Sequence, residues 1–220
     1  VAGLFAKLMS RLGYERYGTQ GGDLGAYLAP AVAAVDPHHV AGVYVEGGLG
    51  FPNEEDLPAL TPQERGAFDM MQQWMGGGVD HHALLRAAPQ TFSYGWNDSP
   101  VGQLGWLLQK FKEFCYTAER PDEVIDRELL LTNASLYWLT QTSGTSSWFM
   151  YESTGFRWPE GQSAVPSGVY GGYAPLRSVA ERTNRIVHWP EDNPEGSHFL
   201  AMGIPGALAA DVRAFFDKVR

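Results

Sequence analysis

Tyr14-Glu15-Arg16-Tyr17-Gly18-Thr19-Gln20-Gly21-Gly22-Asp23-Leu24-Gly25-Ala26-Tyr27-Leu28-Ala29-Pro30-Ala31-Val32-Ala33-Ala34-Val35 is the stretch that decides the fold. Tyr14 to Thr19 is short and rich in β-formers, Gln20 to Gly25 is glycine-rich, and the Ala/Leu-rich run that follows favours helix, so the order predicted is strand, tight turn, helix. Asp36-Pro37 ends the helix. Val40 to Glu46 then reads as a second strand, apolar enough to lie inside a parallel sheet, which makes the segment a right-handed βαβ unit.

Upstream, Leu4, Leu8 and Leu12 recur at helical spacing and Gly13 follows as a cap, so Val1 to Tyr14 reads as an amphipathic helix and not a signal peptide. Downstream, the pattern from about Phe51 to Thr154 is helical. It begins at Thr61-Pro62-Gln63-Glu64, a threonine N-cap with Pro at N1 and Glu at N3. Ala164 to Tyr170 and Arg185 to Trp189 restore strand-like runs. Leu208, Val212, Phe215, Phe216 and Val219 then mark a last helix that packs one face on the sheet. The resulting organisation is core 1–50, helical insertion 51–155 and core 156–220, with no internal repeat.

Composition narrows the partners. The 220 residues carry 16 Lys+Arg against 25 Asp+Glu, a net charge of −9, with no basic run, which disfavours nucleic acid and anionic membrane. Cys115 is the single cysteine, so no internal disulfide is possible; a reducing, cytoplasmic location fits, with any targeting signal upstream of Val1, since the chain does not begin with Met. No stretch approaches the roughly 20 apolar residues of a membrane span.

Gly21-Gly22-Asp23-Leu24-Gly25 has the small-x-nucleophile-x-small form of a nucleophile elbow, with Asp in the nucleophile's place; small residues flank it because the turn is sharp and the helix starts close against the strand. Ordinary turns also use Gly-Gly-Asp. The chain contains no Gly-x-Ser-x-Gly, which removes a serine esterase. His198, in the loop Pro194 to Phe199 before the last helix, follows in the order nucleophile, then histidine, that such enzymes keep.

Leu8 to Tyr14, Gln20 to Asp23, Asn97 to Gly102, Leu131 to Asn133 with Tyr137 to Thr140, and Ile186 to Trp189 resemble, in order and over nearly the whole chain, segments of the microsomal-type epoxide hydrolases of the α/β-hydrolase superfamily. The resemblance implies an α/β-hydrolase fold, here the C-terminal part of the parallel sheet with a helical lid, and conversion of an epoxide to a vicinal diol, a detoxification chemistry. It implies Asp23 as the nucleophile that forms an alkyl ester and His198 as the base that activates water. Carboxylate attack on a strained sp³ carbon, then general-base hydrolysis of the ester, is sound chemistry for that pair. The partners expected are a small apolar epoxide and water, with no cofactor and no metal. Self-association, or an N-terminal segment upstream, would complete the sheet.

The same resemblance makes Tyr151 a proton donor to the leaving oxygen, with Trp148 beside it against substrate, and places His81 where a second tyrosine would stand. The Leu24 N–H would donate to the oxyanion. The family's acid falls in Gly171 to Arg177, which holds no carboxylate. Glu46, at the end of the second strand, is the alternative acid for His198. Two other readings stay open: a haloalkane dehalogenase, disfavoured by Leu24 where those enzymes place Trp, and a catalytically inactive homologue or fragment.

Overall fold

The structure is a computed structural model and describes all residues except 51, 53, 54, 77–80, 117, 153–157, 162 and 172–175. Its elements are α1 (Ala2–Arg11), β1 (Tyr17–Gly21), α2 (Gly25–Val35), β2 (Val40–Val45), α3 (Pro62–Gly76), α4 (His81–Ala87), α5 (Pro89–Asp98), α6 (Pro100–Phe114), α7 (Arg127–Thr140), α8 (Ser143–Glu152), β3 (Pro166–Val169), α9 (Arg177–Glu181), β4 (Arg185–His188), α10 (Leu200–Gly203) and α11 (Pro205–Val219). They form two compact units. A core unit takes residues 1–72, 156–195 and 206–220, and a helical unit takes 73–155 and 196–205.

The core unit is a parallel sheet in the order β1-β2-β3-β4. β2 shows why this order is stable: alternate residues face opposite sides. Val43 and Val45 join Ala26, Ala29, Val32 and Ala33 of α2 and Val169 of β3 in one apolar layer. On the other side, Gly42 and Gly168 leave the space that the buried Phe215 of α11 fills; a Cβ at either would fall 2.8 or 2.6 Å from that ring. Gly18 of β1 does the same for Phe216, at 2.2 Å. Three glycines on three adjacent strands therefore form the trough in which α11 lies. The expected packing face of α11 is present, with Leu208 and Phe215 buried, but it also carries a buried acid, Asp211.

One boundary differs from the expectation. β1 begins at Tyr17, three residues later than expected, because Leu12 to Tyr14 are used to close α1: Gly13 takes φ +80° and the Tyr14 N–H bonds the Met9 carbonyl at 3.0 Å. The compact units divide at 72–73, within α3. The start of α3 is fixed to the core, since Glu64 completes the capping box with Thr61 (Thr61 N–H to Oε2, 3.0 Å; Glu64 N–H to Thr61 Oγ1, 3.2 Å) and its other oxygen accepts the Ser178 N–H at 2.8 Å. Residues 196–205, which hold His198, group with the helical unit.

Within the helical unit, α5 and α8 approach closely at Gly144, where a Cβ would lie 2.9 Å from the Ser93 side chain. Phe111, Cys115, Ile125 and Leu130 form a buried cluster against which Phe199 and Met202 pack. Among the described residues no helix is long and apolar enough to cross a membrane.

Candidate active site

The strand-turn-helix around Asp23 is an elbow in its backbone. Asp23 has φ +52°, a left-handed conformation that costs a non-glycine residue roughly 1–2 kcal/mol, and it is exposed at the carboxyl end of β1. Such strain persists only where the surroundings enforce it. Here Gly25 N–H bonds the Gly22 carbonyl at 2.8 Å and Ala26 N–H bonds the Asp23 carbonyl at 3.1 Å, so α2 starts immediately. A Cβ on Gly21 would meet the backbone of Gly25 at 2.5 Å, whereas one on Gly25 would meet nothing within 4 Å. The sequence pattern treats the two glycines alike; the crowding belongs to Gly21. Leu24 caps α2 in helical conformation, and its N–H, at the positive end of the helix, has no acceptor among the described residues.

Glu46 lies beside this turn. Its N–H extends the ladder to the Gly21 carbonyl at 3.1 Å, its side chain packs on Gly22, and its Oε1 accepts from the Gln20 amide. Gln20 is a partner that the sequence reading did not foresee. Neither did it foresee Tyr27, one helical turn after Asp23, which stacks on Trp158 at 3.9 Å; burial, helped by the Asp23 charge, raises its pKa. Trp158 Nε1–H reaches back to the Ala26 carbonyl at 3.2 Å, so the elbow helix is braced from residues 132 positions away.

Between β2, β4 and α11, the Asp211 carboxylate accepts from Tyr44 Oη–H at 2.5 Å and from His188 Nε2 at 2.8 Å, with Lys218 Nζ 2.7 Å from His188 Nδ1. Tyr44, His188 and Asp211 are all buried. Burial first, then the bond to Asp211, drives the Tyr44 hydroxyl far above its ordinary range, so it stays a donor. This network ties β2, β4 and α11 together. Its one sequence signal was an acid on the apolar face of the last helix.

In the helical unit, His198 N–H bonds the Phe114 carbonyl at 3.1 Å, and its ring lies 4.7 Å from the Phe114 ring. The preceding Ser197 bonds the Cys115 thiol, whose pKa burial raises, and accepts the Phe199 N–H at 3.2 Å. The histidine loop is thus pinned to the end of α6. His81, at the start of α4, also packs on Phe114, at 5.5 Å, and its ring lies tilted at 4.0 Å from that of His82. Phe114 therefore brings His81 and His198 to one place, which nothing in their spacing announced. Tyr151 and Trp148 lie on α8 and are 59% and 50% exposed. The segment 172–175, where the family's acid was sought, is outside the described residues. Among the described residues no group of His, Cys, Asp and Glu is arranged to hold a metal.

Comparison with known proteins adds to this geometry. No protein-family model matches the chain. A Stigmatella aurantiaca protein named "Putative epoxide hydrolase" is 32% identical over 225 residues, covering 100% of this chain and 51% of that protein. The chain belongs to the epoxide hydrolase family. Epoxide hydrolase 1 of Sus scrofa is 29% identical over 251 residues, covering 97% of this family member and 54% of its own length. Among solved structures, the Aspergillus niger epoxide hydrolase superposes with a TM-score of 0.78 at 24% identity, over 100% of this chain and 57% of that one, which identifies the α/β-hydrolase fold. This epoxide hydrolase homologue spans about half the length of the curated relatives it matches.

Proposed function

We propose that the chain carries the nucleophile and the water-activating base of an epoxide hydrolase. The observation that carries this reading is the left-handed, exposed Asp23 at the carboxyl end of β1, on an elbow whose Gly21 has no room for a side chain; the epoxide hydrolase relatives supply the substrate class. An Asp23 oxygen attacks a ring carbon, the C–O bond breaks, and the freed oxygen takes a proton from Tyr151 or His81, leaving a hydroxyalkyl ester. His198 then removes a proton from water, the hydroxide adds to the ester carbonyl, and collapse expels the second alcohol oxygen. Water supplies both protons of the balance: one to that oxygen, one to restore the donor.

Leu24 N–H is the proposed oxyanion donor and Trp148 the proposed wall for the substrate's apolar part. Glu46 is proposed to orient the His198 imidazole, in exchange for its bond to Gln20. The substrate is a small apolar epoxide; a reducing, cytoplasmic setting and association with a further segment or a second copy complete the proposal. Brief exposure of the full-length protein to an epoxide should raise the mass of the Asp23 peptide by the mass of the epoxide. A single turnover in ¹⁸O-water should place the label in the Asp23 carboxylate. Label appearing only in the diol would refute the ester route, and neither adduct nor label would favour an inactive homologue.

A further inference from the structure

The helical unit holds a half-open cavity of about 210 Å³ whose lining includes none of the residues proposed for the Asp23 chemistry. Ser143, Ser147 and Met150, at i, i+4 and i+7, put one face of α8 along it, opposite Trp96 of α5 and Gln103 and Trp106 of α6. The two indoles lie 5.0 Å apart at 32°, and no charged side chain is among the lining residues. Gln103, Tyr137 and the serines of α8 supply its polar lining. Gln103 is 2% exposed and its Oε1 accepts from the Ser143 hydroxyl, but its NH₂ donates to nothing among the described residues. The neighbouring serine protons are committed: Ser143 to Gln103, and Ser146 and Ser147 to the Ser143 carbonyl at 2.9 and 2.8 Å. The amide nitrogen is not among the fully buried polar atoms left without a partner, so it opens onto the cavity and has its hydrogens to offer a ligand there.

We propose that this cavity is a second binding site, for a neutral molecule of one aromatic ring bearing a hydrogen-bond-accepting oxygen. Charge is excluded because nothing in the lining would pair with it. Size follows from volume: an apolar cavity of about 150 Å³ holds benzene, so 210 Å³ takes one ring and a short substituent. The ring lies against Trp96 and Trp106 and the oxygen accepts from Gln103. Ser146 and Phe149, both exposed, form the mouth through which it enters.

Benzyl alcohol and ethylbenzene, equal in heavy atoms but differing in the oxygen, are the probes, with saturation-transfer NMR and tryptophan fluorescence of the 220-residue chain as readouts. Benzyl alcohol should bind saturably. Gln103→Leu should weaken it by about tenfold, the value of one hydrogen bond, and leave ethylbenzene within about twofold. Ser146→Trp at the exposed mouth should abolish binding of both, and this result stands alone if Gln103→Leu does not fold. Asp23→Asn should change nothing, which separates failure here from failure of the epoxide reading. No saturable benzyl alcohol binding, binding that survives Ser146→Trp, or a folded Gln103→Leu that holds benzyl alcohol unchanged would each overturn the proposal.

Discussion

Replacing Asp23 by glycine should remove the proposed activity and yet not weaken the fold. Asp23 sits at φ +52°, where the left-handed region costs a residue with a Cβ about 1–2 kcal/mol, less for Asp than for most. Glycine relieves that strain, but its unfolded chain is freer by about 0.5–1 kcal/mol. The net expectation for Asp23→Gly is therefore a change between zero and about 1 kcal/mol of stabilisation. Asp23→Ala keeps the Cβ and loses the polar side chain that tolerates the conformation, so it should be less stable than Asp23→Gly by about 1 kcal/mol. Urea titration of the core unit's unfolding, with equal m-values, measures both differences. Diol formation in the full-length protein should be lost in both variants. An alanine variant more stable than the glycine variant would refute the strained-elbow reasoning. Activity within about tenfold of the parent in either would refute Asp23 as nucleophile.

His198→Gln should accumulate the Asp23 ester without turning it over, and Glu46→Gln should slow ester hydrolysis by orders of magnitude while keeping the fold, as loss of an orienting acid does elsewhere; single-turnover mass spectrometry reads both, and a Glu46→Gln enzyme of full rate would remove Glu46 from the triad. Gly168→Ala places a Cβ 2.6 Å from the buried Phe215 ring and should cost about 1–3 kcal/mol, largely recovered by adding Phe215→Leu; full additivity of the two would show that the contact is not the cause. At Glu64, burial alone would raise the pKa, but the bonds from Ser178 and Thr61 outweigh it and hold it down from 4.5 to about 2. A depressed carboxylate stabilises above its unfolded pKa and loses that contribution as pH falls through the folded one, so Glu64→Gln should flatten the stability profile between pH 4.5 and about 2; an unchanged acid limb would disprove it.

Sequence by itself determined what depends on neighbours along the chain. The strand-turn-helix at Asp23, the second strand at Val40–Val45, the Thr61–Glu64 capping box and the apolar face of α11 are all local patterns, and all are present, with only the start of β1 displaced. The elbow that carries the proposed nucleophile was legible for the same reason: it is a short run of residues whose conformation their own backbones enforce. Tertiary structure decided what depends on residues far apart. Gly18, Gly42 and Gly168 read as weak strand residues until Phe215 and Phe216 fill the space above them. Asp211 became a buried acceptor only once Tyr44 and His188 arrived from the strands, and Gln103 the acceptor for Ser143 only once α8 packed beside α6. Phe114 gathers His81 and His198 because α4, α6 and the histidine loop pack together, not because of any spacing among the three. Backbone preference and periodicity act over one or two turns of chain and can be read there; burial and the partners of buried polar groups are properties of the packed whole.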